Sequence, residues 1–199
     1  MMNDKYLIVI AGPTASGKTA TAITIAKALK TVIISADSRQ FYREIPIGTA
    51  APTREELSEV EHYMIHNLSI EDRYDVADYE QDVLLLLKQL FMSYDTVVMT
   101  GGSGLFIDAV CNGLDSIPDI SEETRNRVND LYEKGGVVAL QNELQHLDPE
   151  YYEIVDKQNP RRLQRAIEVC YQTGLPYSSF RKNNTKERDF KIIKLALLW

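Results

Sequence analysis

The stretch Gly12-Pro13-Thr14-Ala15-Ser16-Gly17-Lys18-Thr19, read GPTASGKT, follows directly on the apolar run Tyr6-Leu7-Ile8-Val9-Ile10-Ala11. It fits the phosphate-binding pattern G-x-x-x-x-G-K-[ST] at every fixed position. The glycines let backbone N–H groups curl around phosphate oxygens and Lys18 supplies a mobile cation. The Thr19 hydroxyl can hold Mg2+ at the start of a helix whose dipole also favours anions. A buried strand before the loop and the alanine-rich stretch Thr19 to Lys30 after it give the strand–loop–helix context that the motif requires. The chain therefore handles a polyphosphate.

Outward from that loop, Thr31 to Ser35 and Thr96 to Thr100 are further short runs rich in Val and Ile, as in strands buried on both faces. Helical stretches lie between them: Ala20 to Lys30, then Thr53 to Glu61 with its Thr cap and acidic first turn, then the leucine-rich Val76 to Phe91. Alternating strands and helices imply an α/β fold, a P-loop NTPase-like parallel sheet flanked by helices, with ligands at the carboxyl ends of the strands. From Ser116 to Val155 the sequence turns polar and helix-prone. Ser121 marks one start, Gly135-Gly136 a break and Asp148-Pro149 a second start. This predicts a small helical insertion at 116–155, with 1–115 and 156–199 forming the core. A helix over Pro160 to Gly174 and a last strand over Lys191 to Leu198 fall in that second core segment.

With 199 residues, 44% hydrophobic and 26% charged, the chain can bury roughly 70% of its unfolded surface, enough for one main domain and a small appendage. No uninterrupted apolar run reaches the ~18 residues of a membrane span. Met1-Met2-Asn3-Asp4-Lys5 leads into a core strand without a cleavable leader, so a cytoplasmic protein with no membrane partner is expected. Cys111 and Cys170 lack C-x-x-C spacing and sit in apolar surroundings, which suits packing thiols. A formal charge of −7 argues against non-specific coating of nucleic acid, a mode that relies on many cations neutralising phosphates. It leaves room for local basic sites, of which Arg161, Arg162 and Arg165 form one and Arg181, Lys182 and Lys186 another.

Asp37 ends the second strand, so the topology brings it beside the phosphate loop as the prime acid or base; a helix cap or an indirect Mg2+ ligand is the alternative. Ser38, Arg39 and Gln40 offer donors and acceptors suited to a planar heterocycle, although such residues also serve ordinary loops. After Val97-Val98-Met99-Thr100 the chain runs into Gly101-Gly102-Ser103-Gly104, where an ordinary P-loop ATPase would place an acid. The glycines permit a ligand to approach the backbone closely and Ser103 can donate a hydrogen bond, or the segment is simply a tight turn. His62 and His66 share i, i+4 spacing but have no third ligand pattern, which favours packing over a metal.

Taken together, GPTASGKT, SADSRQFYREIPIGTA at Ser35 to Ala50, TGGSGLF at Thr100 to Phe106 and NPRRLQRAIEV at Asn159 to Val169 resemble the tRNA dimethylallyltransferases (tRNA isopentenyltransferases) in order and spacing. The likeness covers essentially the whole chain. It implies transfer of a dimethylallyl group from dimethylallyl diphosphate to N6 of an adenosine next to the anticodon, with release of diphosphate. Gly12, Pro13, Thr14, Ala15, Ser16, Gly17, Lys18 and Thr19 then form the diphosphate- or nucleotide-binding loop, with Mg2+ on Thr19. Lys18 and Thr19 act in catalysis by neutralising charge as the C–O bond breaks. Asp37 takes the N6 proton. Ser38, Arg39, Gln40 and Ser103 resemble the base-recognition contacts, while Arg125 and Arg161, Arg162, Leu163, Gln164 and Arg165 resemble the RNA-holding positions. The implied partner is a tRNA anticodon stem-loop whose target base is extruded toward the loop. A monomer is expected.

The chain departs from the family pattern where Gln158-Asn159-Pro160 replaces Asn-Asp-Pro, where His66 replaces Asp and where Ser103 replaces Thr. The resemblance also implies about a hundred further residues, including an arginine that helps handle the diphosphate. Three other readings follow from the same residues. One is a small-molecule or nucleotide kinase on the phosphate loop, and another is an adenylate isopentenyltransferase acting on free AMP. The third is a tRNA-binding protein without activity, suggested by the stop at Trp199 on the last strand.

Overall fold

The structure, a computed structural model, describes residues 4–115, 117–181 and 185–197. Ser116, Lys182 and Leu198 lie outside these residues; the sequence pattern places there the start of the insertion, part of a basic run and the end of the last strand. Strands β1 (Tyr6–Ala11), β2 (Ile33–Ser35), β3 (His62–Tyr63), β4 (Thr96–Gly101) and β5 (Lys191–Ala196) form one parallel sheet in the order β3-β2-β4-β1-β5. In β1, Ile8 stands opposite Val98 of β4 on one side and Ile193 of β5 on the other.

The apolar runs are continuous because both sheet faces are covered. Leu7, Val9, Ile34, Val97 and Met99 pack with helices α3 (Val76–Leu90) and α4 (Gly104–Asn112) through Val83, Leu87, Ile107 and Val110. On the opposite face Ile10, Ile33 and Val98 meet Ala22, Ile23 and Ala26 of α1 (Lys18–Leu29). Residues adjacent in the chain thus serve different cores, as the period of two requires, and each large apolar side chain so buried contributes roughly 1.5–3 kcal/mol. α2 (Arg54–Glu59) is a short helix held by a capping box in which the Thr53 side chain accepts from Glu56 N and the Glu56 carboxylate accepts from Thr53 N. α3 starts on the same device, built from Asp75 and Asp78.

One buried charge pair fixes the approach to β5. Arg188 donates to the Glu80 carboxylate of α3 at 2.8 Å and to the carbonyls of Ala109 and Val110 near the end of α4 at 2.8 and 2.9 Å. It therefore ties three segments together and satisfies two of the helix's last carbonyls.

The chain forms two compact units, Met1–Leu114 with Thr185–Trp199, and Asp115–Asn184. The second contains α5 (Glu122–Leu147), α6 (Pro149–Ile154), α7 (Pro160–Thr173) and a 3-10 turn at Tyr177–Phe180. Gly136, at φ 61°, interrupts α5 where the Gly135-Gly136 pair predicts a break. The second boundary of the insertion differs from the expectation. α7 belongs with the helical unit, not with the sheet, because its stripe Leu163, Ala166 and Ile167 packs against Val128, Leu140 and Leu144 of α5. The sequence displays this stripe at helical spacing but carries no mark of which surface receives it.

Candidate functional site

The phosphate loop connects β1 to α1. Gly17, at φ 82°, stands at the N-cap of α1 in the left-handed region, and Ala15 adopts φ 64°, which strains a residue that has a Cβ. Gly12 is required by close approach: a Cβ there would lie 2.8 Å from the Leu197 carbonyl oxygen, held nearby by the Leu197 N–H donating to Ala11 O at 2.9 Å. Lys18 Nζ reaches back across its own loop to donate to Pro13 O at 2.5 Å. Ser16 Oγ is buried and has no hydrogen-bond partner among the described residues, as suits a donor whose acceptor is a bound anion.

Two neighbouring loops leave the carboxyl edge beside it. Ala36 N donates to Thr100 O at 2.7 Å and Ser103 N to Ala36 O at 3.2 Å, so the ends of β2 and β4 stay joined beyond their strands. Ser38 N then donates to Ser103 Oγ at 3.0 Å, and the Ser103 hydroxyl lies 3.2 Å from that of Ser38. Asp37 turns on itself, its Oδ1 accepting from Arg39 N at 3.1 Å. Aromatic rings support this corner. Phe41 stacks on Tyr79 at 5.3 Å, Phe106 meets Tyr79 edge-on at 5.1 Å, and the Tyr79 hydroxyl donates to Ser35 O at 2.7 Å. Burial pushes the Tyr79 phenol well above its usual range, which keeps it a donor.

These elements enclose a cleft of about 330 Å3 whose walls include Lys18, Thr19, Asp37, Gln40, Ala50 and Glu56. Asp37 and the phosphate loop therefore share one cavity. The family-model comparison matches residues 40–199 of this chain to IPP transferase. The chain belongs to the IPP transferase family. It is 51% identical over 191 residues to tRNA dimethylallyltransferase 1 of Phocaeicola vulgatus, with 96% of this chain and 64% of that protein covered. For tRNA dimethylallyltransferase 1 of Bacteroides fragilis the identity is 49%, with 98% and 65% covered. The chain thus spans just under two thirds of the length of these relatives. Among solved structures, the full-length tRNA isopentenylpyrophosphate transferase from Bacillus halodurans aligns with a TM-score of 0.54 at 35% identity, covering 87% of this chain and 57% of that one. A eukaryotic dimethylallyltransferase acting on tRNA shares the fold with a TM-score of 0.76 at 24% identity, over 97% of this chain and 48% of that one.

Within this IPP transferase core the motif residues fall into two groups. Gly12 to Thr19, Asp37 to Gln40 and Ser103 belong to the sheet unit, where the loops described above hold them together, with Arg39 exposed. Arg125, Arg161, Arg162 and Arg165 are exposed on the helical unit, and Gln164 donates to Asn129 at 3.0 Å between α7 and α5. Leu163 is a correction. It is 0% exposed within the core of that unit, so its side chain packs and is not available to hold RNA. Two wall residues, Ala50 at the end of the Ser35 to Ala50 motif and Glu56 in the acidic first turn after the Thr53 cap, are not marked by the sequence as lining the cleft. Cys111 and Cys170 are free and buried, and burial raises both thiols. His62 Nδ1 lies 2.8 Å from Val60 O, while Nε2 of His62 and of His66 are buried without a partner among the described residues. Among those residues no helix is long and apolar enough to cross a membrane, and no group of three His, Cys, Asp or Glu side chains could hold a metal.

Proposed function

We propose that the chain carries the donor and base sites of a tRNA dimethylallyltransferase, in which N6 of an adenosine next to the anticodon attacks the allylic carbon of dimethylallyl diphosphate. The N6–C bond forms as the C–O bond breaks, the diphosphate leaves onto Gly12 to Thr19, and the N6 proton passes to the Asp37 carboxylate. One observation carries this reading: Asp37 lines the same cleft as Lys18 and Thr19. The N6 lone pair is delocalised into the purine ring, so a base that removes its proton assists attack. On the leaving side Lys18, freed from Pro13 O, and the Ser16 hydroxyl meet charge that develops only as the bond breaks. The oxygens of Thr19 and Glu56, on the same wall, are hard donors of the kind Mg2+ accepts. When bound on Thr19, that ion neutralises diphosphate charge.

The RNA would be held by the exposed arginines of the helical unit, with Ser38, Arg39 and Ser103 facing the extruded base. Incubation with labelled dimethylallyl diphosphate and either anticodon stem-loop RNA or AMP tests the proposal. Label in the RNA adenosine is the expected result, while phosphoryl transfer from ATP, or label in AMP alone, overturns it. Arg161→Ala is expected to weaken stem-loop binding and to flatten the dependence of log K on log salt by ~1 if the guanidinium neutralises one phosphate. An unchanged slope in a filter-binding titration would reduce Arg161 to surface charge.

A further inference from the structure

Gln40 sits on the wall of the cleft, where a side-chain amide suits a purine edge, yet its amide is already engaged. Its Oε1 accepts from the Ser35 hydroxyl at 2.9 Å, and its Nε2 donates to the carbonyls of Thr49 and Ala50 at 3.3 and 3.0 Å. Both amide hydrogens therefore point at protein oxygens, and reading a base with them would leave two carbonyls without donors. Ser35 is the last residue of β2 and is 2% exposed, while Ala50 is a wall residue of the cleft, at φ 50°. We infer that Gln40 is a positioning residue, a latch that ties the Thr49–Ala50 wall of the diphosphate cleft to the end of β2.

The surrounding bonds give the latch its leverage. Gln40 N donates to Asp37 O at 3.0 Å and Gln40 O accepts from His66 N at 2.9 Å, so the Gln40 backbone is fixed from two sides and its side chain is the adjustable link. Between Gln40 and Thr49, the turn at Pro46 to Thr49 closes on a bond from the Thr49 hydroxyl to Pro46 O at 3.1 Å. That bond does not reach the sheet. Without the amide, the Thr49–Ala50 backbone would lose its hydrogen-bonded tie to β2, and the cleft would widen opposite Lys18 and Thr19. The consequence falls on the donor, not on the RNA.

This inference rests on the diphosphate site proposed above, and the test separates the two. Calorimetric titration of the chain with dimethylallyl diphosphate and Mg2+, together with hydrogen exchange over residues 44–50, is to be run on wild type, Gln40→Met, Ser35→Ala and the double variant. Gln40→Met is expected to weaken donor binding about five- to tenfold, the equivalent of one hydrogen bond, and to speed exchange over 44–50. Ser35→Ala, buried and out of reach of RNA, should shift both readouts in the same direction, with the double variant no worse than Gln40→Met. Donor binding and exchange unchanged in Gln40→Met, with only the KM for stem-loop RNA raised, would overturn the latch in favour of base reading. So would losses that add in the double variant. Should Ser35→Ala fail to fold, the contrast between donor affinity and RNA KM in Gln40→Met decides the matter alone. Failure of the wild type to bind the donor would instead sink the proposed function.

Discussion

Asp37→Ala is expected to lower the rate of adenine prenylation by about 10²–10⁴-fold, the range that a positioned general base contributes, while diphosphate binding stays close to wild type. The division follows from the cleft. Asp37 lines the cleft, but on the reading proposed above the anion would be gripped by loop amides, Lys18 and the Ser16 hydroxyl, and Lys18 and Ser16 make no hydrogen bond to Asp37 among the described residues. Removing one carboxylate from that wall takes negative charge away from an anion site, so binding should be unchanged or slightly tighter. Asp37→Asn sharpens the result. The carboxylate also accepts from Arg39 N at 3.1 Å, and an amide oxygen can keep that turn while surrendering the base. Equal rate losses in the Ala and Asn variants therefore assign the effect to proton removal, whereas a substantial recovery in Asn would assign it to the turn. A parallel collapse of diphosphate affinity, measured by calorimetry, would show that the acceptor and donor roles are not divided as proposed.

The phosphate loop and the strands were legible because their signals are local. GPTASGKT fixes its own backbone, and runs such as Leu7 to Ile10 are apolar throughout because both of their faces are covered. Asp37 was legible at one remove, since a residue that ends a parallel strand must lie at the sheet edge where the loop also lies. What stayed hidden depends on partners distant in sequence. Leu163 lies amid arginines in Arg161-Arg162-Leu163-Gln164-Arg165, and only the packing of α7 on α5 separates the buried residue from its exposed neighbours. Gln40 has a side chain that suits a purine equally well, and its engagement with Ser35, Thr49 and Ala50 is set by a turn of the chain that no spacing announces. Glu56 was visible only within the acidic first turn after the Thr53 cap, whereas the structure makes it both half of a capping box and a lining residue of the cleft. β3, two residues long, is too short for alternation to register.

Gly101 carries the second large expected effect, for a reason that neither sequence reading of the segment, ligand approach or tight turn, supplies. A glycine-rich turn after β4 invites the reading that a ligand approaches the backbone. At Gly101 the close neighbour is protein: a Cβ would lie 2.2 Å from the Ala36 carbonyl oxygen and 2.3 Å from its carbon. Neither atom can rotate away, because Ala36 is held by Ala36 N donating to Thr100 O at 2.7 Å and by Ser103 N donating to Ala36 O at 3.2 Å. Relief requires β2 and β4 to separate at their carboxyl ends. Overpacking of this kind costs about 1–3 kcal/mol, and for a chain of this size each kcal/mol corresponds to a fall in Tm of about 2–4 °C. Function should suffer more than stability. The residue displaced with Ala36 is Asp37, and a base shifted by ~1 Å can lose ~10²-fold in rate. Gly102→Ala is the natural comparison, since its added Cβ would find only Asp37 Oδ2, at 3.6 Å, an ordinary contact. Gly101→Ala should therefore lower both Tm and turnover, and Gly102→Ala should leave Tm near wild type. If thermal melts and prenylation assays found Gly101→Ala indistinguishable from wild type, the two strands would not be the rigid mount that this placement of Asp37 beside the phosphate loop requires.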